Sequence, residues 1–137
     1  MEILGRGKIV HADDVDTLLF DWGTIKFLSE PAVTGAERFS FGMVILNPGK
    51  GHDSHTHPGV EEIIFVMSGV GEQMIDGQGP VKVGPGDCFH IPPDVLHSTL
   101  NTGWEPMRLL VVYAPPGAER GLREIAGCEV IPAKGEG

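Results

Sequence analysis

Apolar positions along the 137 residues recur in short runs bounded by glycine, proline, asparagine or aspartate, without a sustained helical stripe. The run RFSFGMVIL, Arg38 to Leu46, sets Phe39, Phe41, Met43 and Ile45 against Arg38, Ser40, Gly42 and Val44, then stops at Asn47-Pro48-Gly49. A period of two puts alternate side chains on opposite faces, so this stretch predicts a strand. EIIFVMSG, Glu62 to Gly69, is apolar without alternation and rich in branched and aromatic residues, which predicts a strand covered on both faces. Further strands are expected in GEQMID (Gly71 to Asp76), PVKV (Pro80 to Val83), DCFHI (Asp87 to Ile91), HSTLN (His97 to Asn101) and MRLLVVYA (Met107 to Ala114). Turn dipeptides such as Asp76-Gly77 separate them. PGAERGLREI, Pro116 to Ile125, could form a short closing helix, and the tail KGEG is expected to be loose. About eight strands at spacings near ten residues predict an all-β fold, an antiparallel barrel or jelly roll.

Length and composition narrow this picture. A chain of this size fits one domain around one core. The 20 glycines and 11 prolines are scattered rather than clustered, so they punctuate strands and mark no linker. The expected layout is a barrel core over about residues 36 to 115, N-terminal strands over 1–35 and a closing segment over 116–137. Nineteen acidic against 10 basic residues give a formal charge of -9, which repels nucleic-acid backbones and anionic lipid headgroups. The N-terminus MEILGRGKIV lacks an apolar run behind a basic start, and no stretch approaches the ~20 apolar residues of a membrane helix. A cytoplasmic protein is expected. Cys88 and Cys128 lie far apart in no CxxC spacing, so they read as plain thiols.

The stretch HTHPGVEE, His55 to Glu62, carries the candidate chemistry. On a strand, side chains at i and i+2 share a face about 6 to 7 Å apart, so His55 and His57 can aim at one space while Thr56 points away. Two neutral imidazoles can clasp a divalent cation from one side, and a carboxylate from the next strand can neutralise part of its charge. Pro58-Gly59 supplies the reversal, and register decides whether Glu61 or Glu62 turns inward.

GKGHDSHTHPGVEEIIFVMSG resembles the first cupin motif, G(X)5HXH(X)3,4E(X)6G: Gly49, His55, His57, Glu62 and Gly69 stand at its spacings, whereas Glu61 breaks the last one. GDCFHIPPDVLHSTLN resembles the second, G(X)5PXG(X)2H(X)3N, from Gly86 through Pro92 and His97 to Asn101. Asp94 stands where the family has glycine, and aspartate tolerates left-handed backbone angles better than most residues. The two motifs cover about a third of the chain, and the short spacer between Gly69 and Gly86 is similar to that of compact single-domain cupins. The resemblance implies a double-stranded β-helix (jelly-roll) barrel with a short C-terminal helix or turn. It also implies His55, His57, Glu62 and His97 as ligands of one divalent transition metal, and as a set these would be costly to desolvate without an ion.

Around that set, Gln73, Thr99 and Tyr113 lie on strands that can line the cavity, and His52 can rim it. Trp22 and Lys26 could reach over the mouth, with packing the first role for Trp22, while His11 and His90 read as ordinary and Glu61 as outward. Three imidazoles and a carboxylate suit Mn, Fe, Ni, Co, Cu or Zn and leave positions for a small-molecule substrate. The expected activity is isomerase- or lyase-like chemistry on a sugar acid or keto acid. The alternatives are an iron-dependent dioxygenase and a non-catalytic ligand-binding cupin. The apolar IIFVM strand and the habits of small cupins also predict a homodimer.

Overall fold

The computed structural model describes residues 1–134, so the Gly135-Glu136-Gly137 end of the tail expected to be loose lies outside the described residues. In chain order come β1 (Glu2–Leu4), β2 (Gly7–Ile9), β3 (Thr17–Phe20), β4 (Gly23–Ser29), one helical turn α1 (Pro31–Thr34), β5 (Ser40–Leu46), β6 (Glu61–Ser68), β7 (Gly71–Ile75), β8 (Gln78–Val83), β9 (Cys88–Ile91), β10 (His97–Asn101), β11 (Met107–Ala114) and β12 (Glu129–Ile131). Seven strands form one sheet in the order β12-β3-β4-β5-β11-β6-β9, three form a second in the order β10-β7-β8, and β1-β2 is a separate hairpin. Every pairing is antiparallel. The two larger sheets make the jelly roll that the strand spacing predicted. Among the described residues no helix is long and apolar enough to cross a membrane.

The interior is built from alternate residues. On β11, Met107, Leu109, Val111 and Tyr113 are buried, and they join Leu18, Phe20, Ile25, Phe27, Val44, Leu46, Ile64, Val66, Phe89 and Ile91 in one core. The phase of β5 is less obvious from its sequence. Ser40, Gly42, Val44 and Leu46 turn inward, whereas the more apolar row Phe41, Met43 and Ile45 turns outward. Space explains this choice: a Cβ on Gly42 would come within 2.9 Å of the Lys26 carbonyl and 3.0 Å of the Phe27 ring, so only the small row fits inside.

Strand β6 likewise buries Glu62, Ile64 and Val66 and leaves Phe65 38% and Met67 45% exposed. The expected cover on both of its faces is therefore not supplied by the chain itself. The closing segment takes the expected form of a short helix or turn. It winds as a 3-10 turn over Ala118–Glu124, because Gly117 and Gly121 weaken an α-helix and such tight winding suits short pieces. Then β12 adds to the edge of β3, and Asp16 fastens it by accepting hydrogen bonds from Arg123 Nη1 (3.0 Å) and Ala133 N (2.9 Å).

Candidate metal centre

His55 and His57 do not sit on a regular strand. Their segment runs irregularly beside β10 and touches it at two isolated bridges, Gly51 with Leu100 and His55 with His97. The close approach depends on Gly51, whose Cβ would fall 2.2 Å from the Thr99 carbonyl oxygen. Paired backbone bonds, His55 N to His97 O (3.1 Å) and His97 N to His55 O (3.0 Å), then lock the two histidines side by side. His57 is fixed by the turn that follows, where Val60 N donates to the His57 carbonyl at 3.1 Å.

Asp94 braces the same turn from the second motif. It adopts the left-handed φ of 67° that the family's glycine would adopt. Its Oδ1 accepts the Gly59 N–H at 3.1 Å, and its own N–H faces the His57 carbonyl at 3.4 Å. A glycine there could not make the side-chain bond. Asn101, the last residue of that motif, donates to the Leu46 and Glu105 carbonyls and accepts the Gly103 N–H, which pins the β10–β11 connection.

The four side chains converge from both sheets: His55 and His57 from the loop, Glu62 from β6 and His97 from β10. One candidate donor atom from each lies within 4.8 Å of all the others. Glu62 Oε1 is 3.1 Å from His97 Nε2 and 3.4 Å from His57 Nε2, and none of these three buried atoms has a hydrogen-bond partner among the described residues. The His55 and His97 rings bond through Nδ1 to the carbonyls of Asp53 (2.9 Å) and Val95 (3.0 Å), which leaves Nε2 of each free for the centre.

Buried acceptors that face one point without a donor are costly, and a divalent cation relieves them together. The residues present therefore fit an ion held by three imidazoles and one carboxylate. Burial lowers the pKa of His55 and His57, keeping both neutral and able to ligate at neutral pH. At His97 burial also acts downward, but the Glu62 carboxylate and Val95 carbonyl outweigh it and raise the value.

The centre opens into a cavity of about 570 Å³. Its lining is mixed: Phe20, Trp22, Ile25, Val44, Ile64, Leu109 and Val111, with Leu122 and Ile125 of the closing segment, alternate with Asp21, Lys50, Asp53, Thr56 and Thr99. Trp22 stacks on Phe20 (ring centroids 4.7 Å, 6° between planes) and lies 4.0 Å from His52, so it packs and rims the mouth at once. Burial and the neighbouring imidazoles push the pKa of His52 down to about 4.

The other candidates separate clearly. Thr99, Tyr113 and His52 line the cavity, whereas Gln73 stands outside the lining and accepts the Thr99 hydroxyl at 2.5 Å. Lys26 points elsewhere and donates to the carbonyls of Ala12 (2.8 Å) and Val15 (3.3 Å) instead of covering the mouth. His11 pairs with Glu2 and His90 with Glu61, both outside the cavity lining. Lys50 and the closing-segment residues Leu122 and Ile125 line the cavity but were not singled out in the sequence. Lys50 fills a variable position of the first motif, Leu122 and Ile125 belong to no motif, and only folding brings the closing segment to this opening.

Known proteins resemble the chain at both levels. A family profile described as a cupin domain matches residues 42–113. Protein SchB of Streptomyces halstedii is 32% identical over 111 residues, which are 80% of this chain and 79% of that protein. Polyketide synthase CurC of Streptomyces cyaneus is 29% identical over 80% of this chain and 71% of its own. Among solved structures, the polyketide cyclase RemF from Streptomyces resistomycificus superposes with a TM-score of 0.68 at 28% identity, covering 80% of this chain and 82% of that one. KdgF from Halomonas sp. shares the fold at 17% identity, with a TM-score of 0.71 over 83% of this chain and 98% of that one.

Proposed function

From a chain that belongs to the cupin domain family, we propose a metal-dependent enzyme that isomerises or cleaves a small keto compound with an apolar frame. The observation that carries this reading is the cavity itself: four side chains able to hold a metal ion open into a lining with a large aromatic and aliphatic share. A sugar acid carries a hydroxyl on most carbons and needs many polar partners. The lining sets Asp21, Lys50, Asp53, Thr56 and Thr99 among aromatic and aliphatic side chains, so a keto acid with one polar end and an apolar frame finds partners for both. Relatives named for polyketide synthesis and cyclisation support the same direction.

One divalent ion held by His55, His57, Glu62 and His97 would polarise a carbonyl oxygen and make the adjacent carbon more acidic. The chain's own residues do the rest. Phe20, Trp22, Ile64 and Leu109 pack the apolar frame, and Leu122 and Ile125 shut out water above it. His52, neutral at working pH, offers an imidazole nitrogen at the mouth. The reading extends to assembly: a homodimer would cover the outward Phe65 and Met67.

The test uses phenylpyruvate, a keto acid with an apolar ring, in deuterated buffer, with hydrogen exchange at the carbon beside the ketone followed by NMR. Protein loaded with Mn, Zn or Fe(II) should accelerate exchange over metal-stripped protein without consuming oxygen. Oxygen uptake with Fe(II) would support the dioxygenase reading instead. Tight binding without exchange would support the non-catalytic one.

A further inference from the structure

Tyr113 is a buried polar side chain that the four-ligand centre does not use. It lies on the inward face of β11, paired in register with Ser40 of β5 on one side and Glu62 of β6 on the other. The ring is 5.1 Å from that of His57 and 6.0 Å from that of Phe27, so it is held from two directions beside the centre.

Buried tyrosine hydroxyls ordinarily find a partner. This one has none among the described residues: its contacts are the two ring contacts and the fields of Glu62 and Glu119. Nor is it sealed off like the donor atoms of His57, Glu62 and His97. Tyr113 is 6% exposed and lines the cavity, and its oxygen is absent from the fully enclosed, unpartnered atoms, so it opens on the cavity.

The other hydroxyls nearby have committed their protons, while Glu119 Oε1 stays unpartnered. Ser40 Oγ donates to Glu119 Oε2 at 3.0 Å, and Thr99 Oγ1 donates to Gln73. The phenol is thus a free donor beside a carboxylate-bearing centre, on the cavity wall.

Building on the keto-compound reading above, we propose that Tyr113 reads the substrate by donating its hydroxyl proton to one substrate oxygen while a second oxygen of the same molecule faces the four-ligand centre. The ligand class is then a compound with two oxygen functions close together at one end of an apolar frame, such as a 2-oxo acid. A single isolated carboxylate or ketone leaves one of the two partners unsatisfied. Removing the phenol oxygen therefore harms doubly oxygenated ligands selectively.

The experiment compares two probes on the cobalt(II)-loaded protein, phenylpyruvate and 3-phenylpropanoate, which differ in the ketone, with binding followed through the visible cobalt bands. Wild type should prefer phenylpyruvate. In Tyr113→Phe that preference should shrink by roughly tenfold, the worth of one good hydrogen bond, while 3-phenylpropanoate binding and the ligand-free cobalt spectrum stay unchanged. An undiminished preference in Tyr113→Phe overturns the role given to Tyr113 and leaves the functional reading standing. Equal weakening of both probes shows a packing role only and overturns it too. A wild type that prefers neither probe overturns the functional reading and this proposal together.

Discussion

The two faces of the three central strands β5, β11 and β6 are both apolar through the middle and differ at the cavity end. Inward, Ser40, Tyr113 and Glu62 form a polar row at the cavity end, backed by Val44, Leu109, Val111 and Ile64. Outward come Phe41, Met43, Ile45, Leu110, Val112, Ile63, Phe65 and Met67, with Arg108 and Glu61 only towards the strand ends. A sheet with a single buried face normally keeps its outer face polar. The difference teaches that the polar groups of the inner face gather at the cavity, while the outer face lacks the polar cover that an exposed sheet face carries. An acidic chain of charge -9 that keeps carboxylates off the middle of this face can bring it against its own copy with little repulsion.

Breaking the inner face should have the largest effect. His97→Ala removes a ligand that is 1% exposed and held from behind by Val95. Bound transition metal in protein purified without added metal should fall at least a hundredfold in affinity, read by elemental analysis after dialysis. Unchanged metal content would remove the centre from the reading altogether. The outer face is broken by Phe65→Glu with Met67→Glu, which leaves the four ligands in place. Sedimentation should show a dimer in wild type and a 14.7 kDa species in the double variant, with the dissociation constant raised by roughly a thousandfold. A wild-type monomer would show that the outer face needs no copy of the chain.

Much of the inner face could be read from the sequence, and little of the outer. His97–Asn101 and Met107–Ala114 coincide with their predicted strands because each is a short run bounded by turn residues. The four candidate ligands were named from the resemblance to the two cupin motifs, and the fold brings them together from a loop, β6 and β10. The strand expected to carry His55 and His57 is instead a loop bridged to β10, because Gly51 lets the backbone approach too closely for a regular ladder. The phase of β5 escaped for a related reason: periodicity says that faces alternate, and the fit of Gly42 against Phe27 decides which one is inside. Lys26 and Gln73 were misplaced around the cavity because a strand position does not specify how far a side chain reaches.

Acidity gives a smaller effect that sharpens the comparison. With metal removed, the His52 pKa near 4 lies below the unfolded value of 6.5, so the unfolded chain binds more protons between those values. The sign follows: this contribution is full above pH 6.5 and is lost as pH falls towards 4. The apo protein should lose on the order of 2 to 3 kcal/mol across that window from this group, measured by denaturant unfolding. His52→Phe keeps an aromatic ring against Trp22 but cannot titrate, so its loss should be smaller. An identical pH profile would mean that the inner face gains no acid sensitivity from His52.

The smallest effect tests whether the inner face depends on its rim. Asp94→Gly restores the residue usual in cupins and removes the carboxylate that accepts from Gly59 N, while relaxing a φ of 67° that glycine adopts freely. That hydrogen bond is exposed, and its loss and the relief of backbone strain are each worth about 1 kcal/mol, so the melting temperature should move by only a few degrees either way. The centre should respond more. His57 follows the turn that Asp94 holds, and a looser turn lets its imidazole leave the ion more often. Metal dissociation into excess chelator should therefore quicken about three- to tenfold in Asp94→Gly. In Asp94→Asn, which keeps an acceptor at the same place, it should stay close to wild type. If both variants release metal at the wild-type rate, the Gly51 and His97 contacts alone position the pair, and the rim is passive.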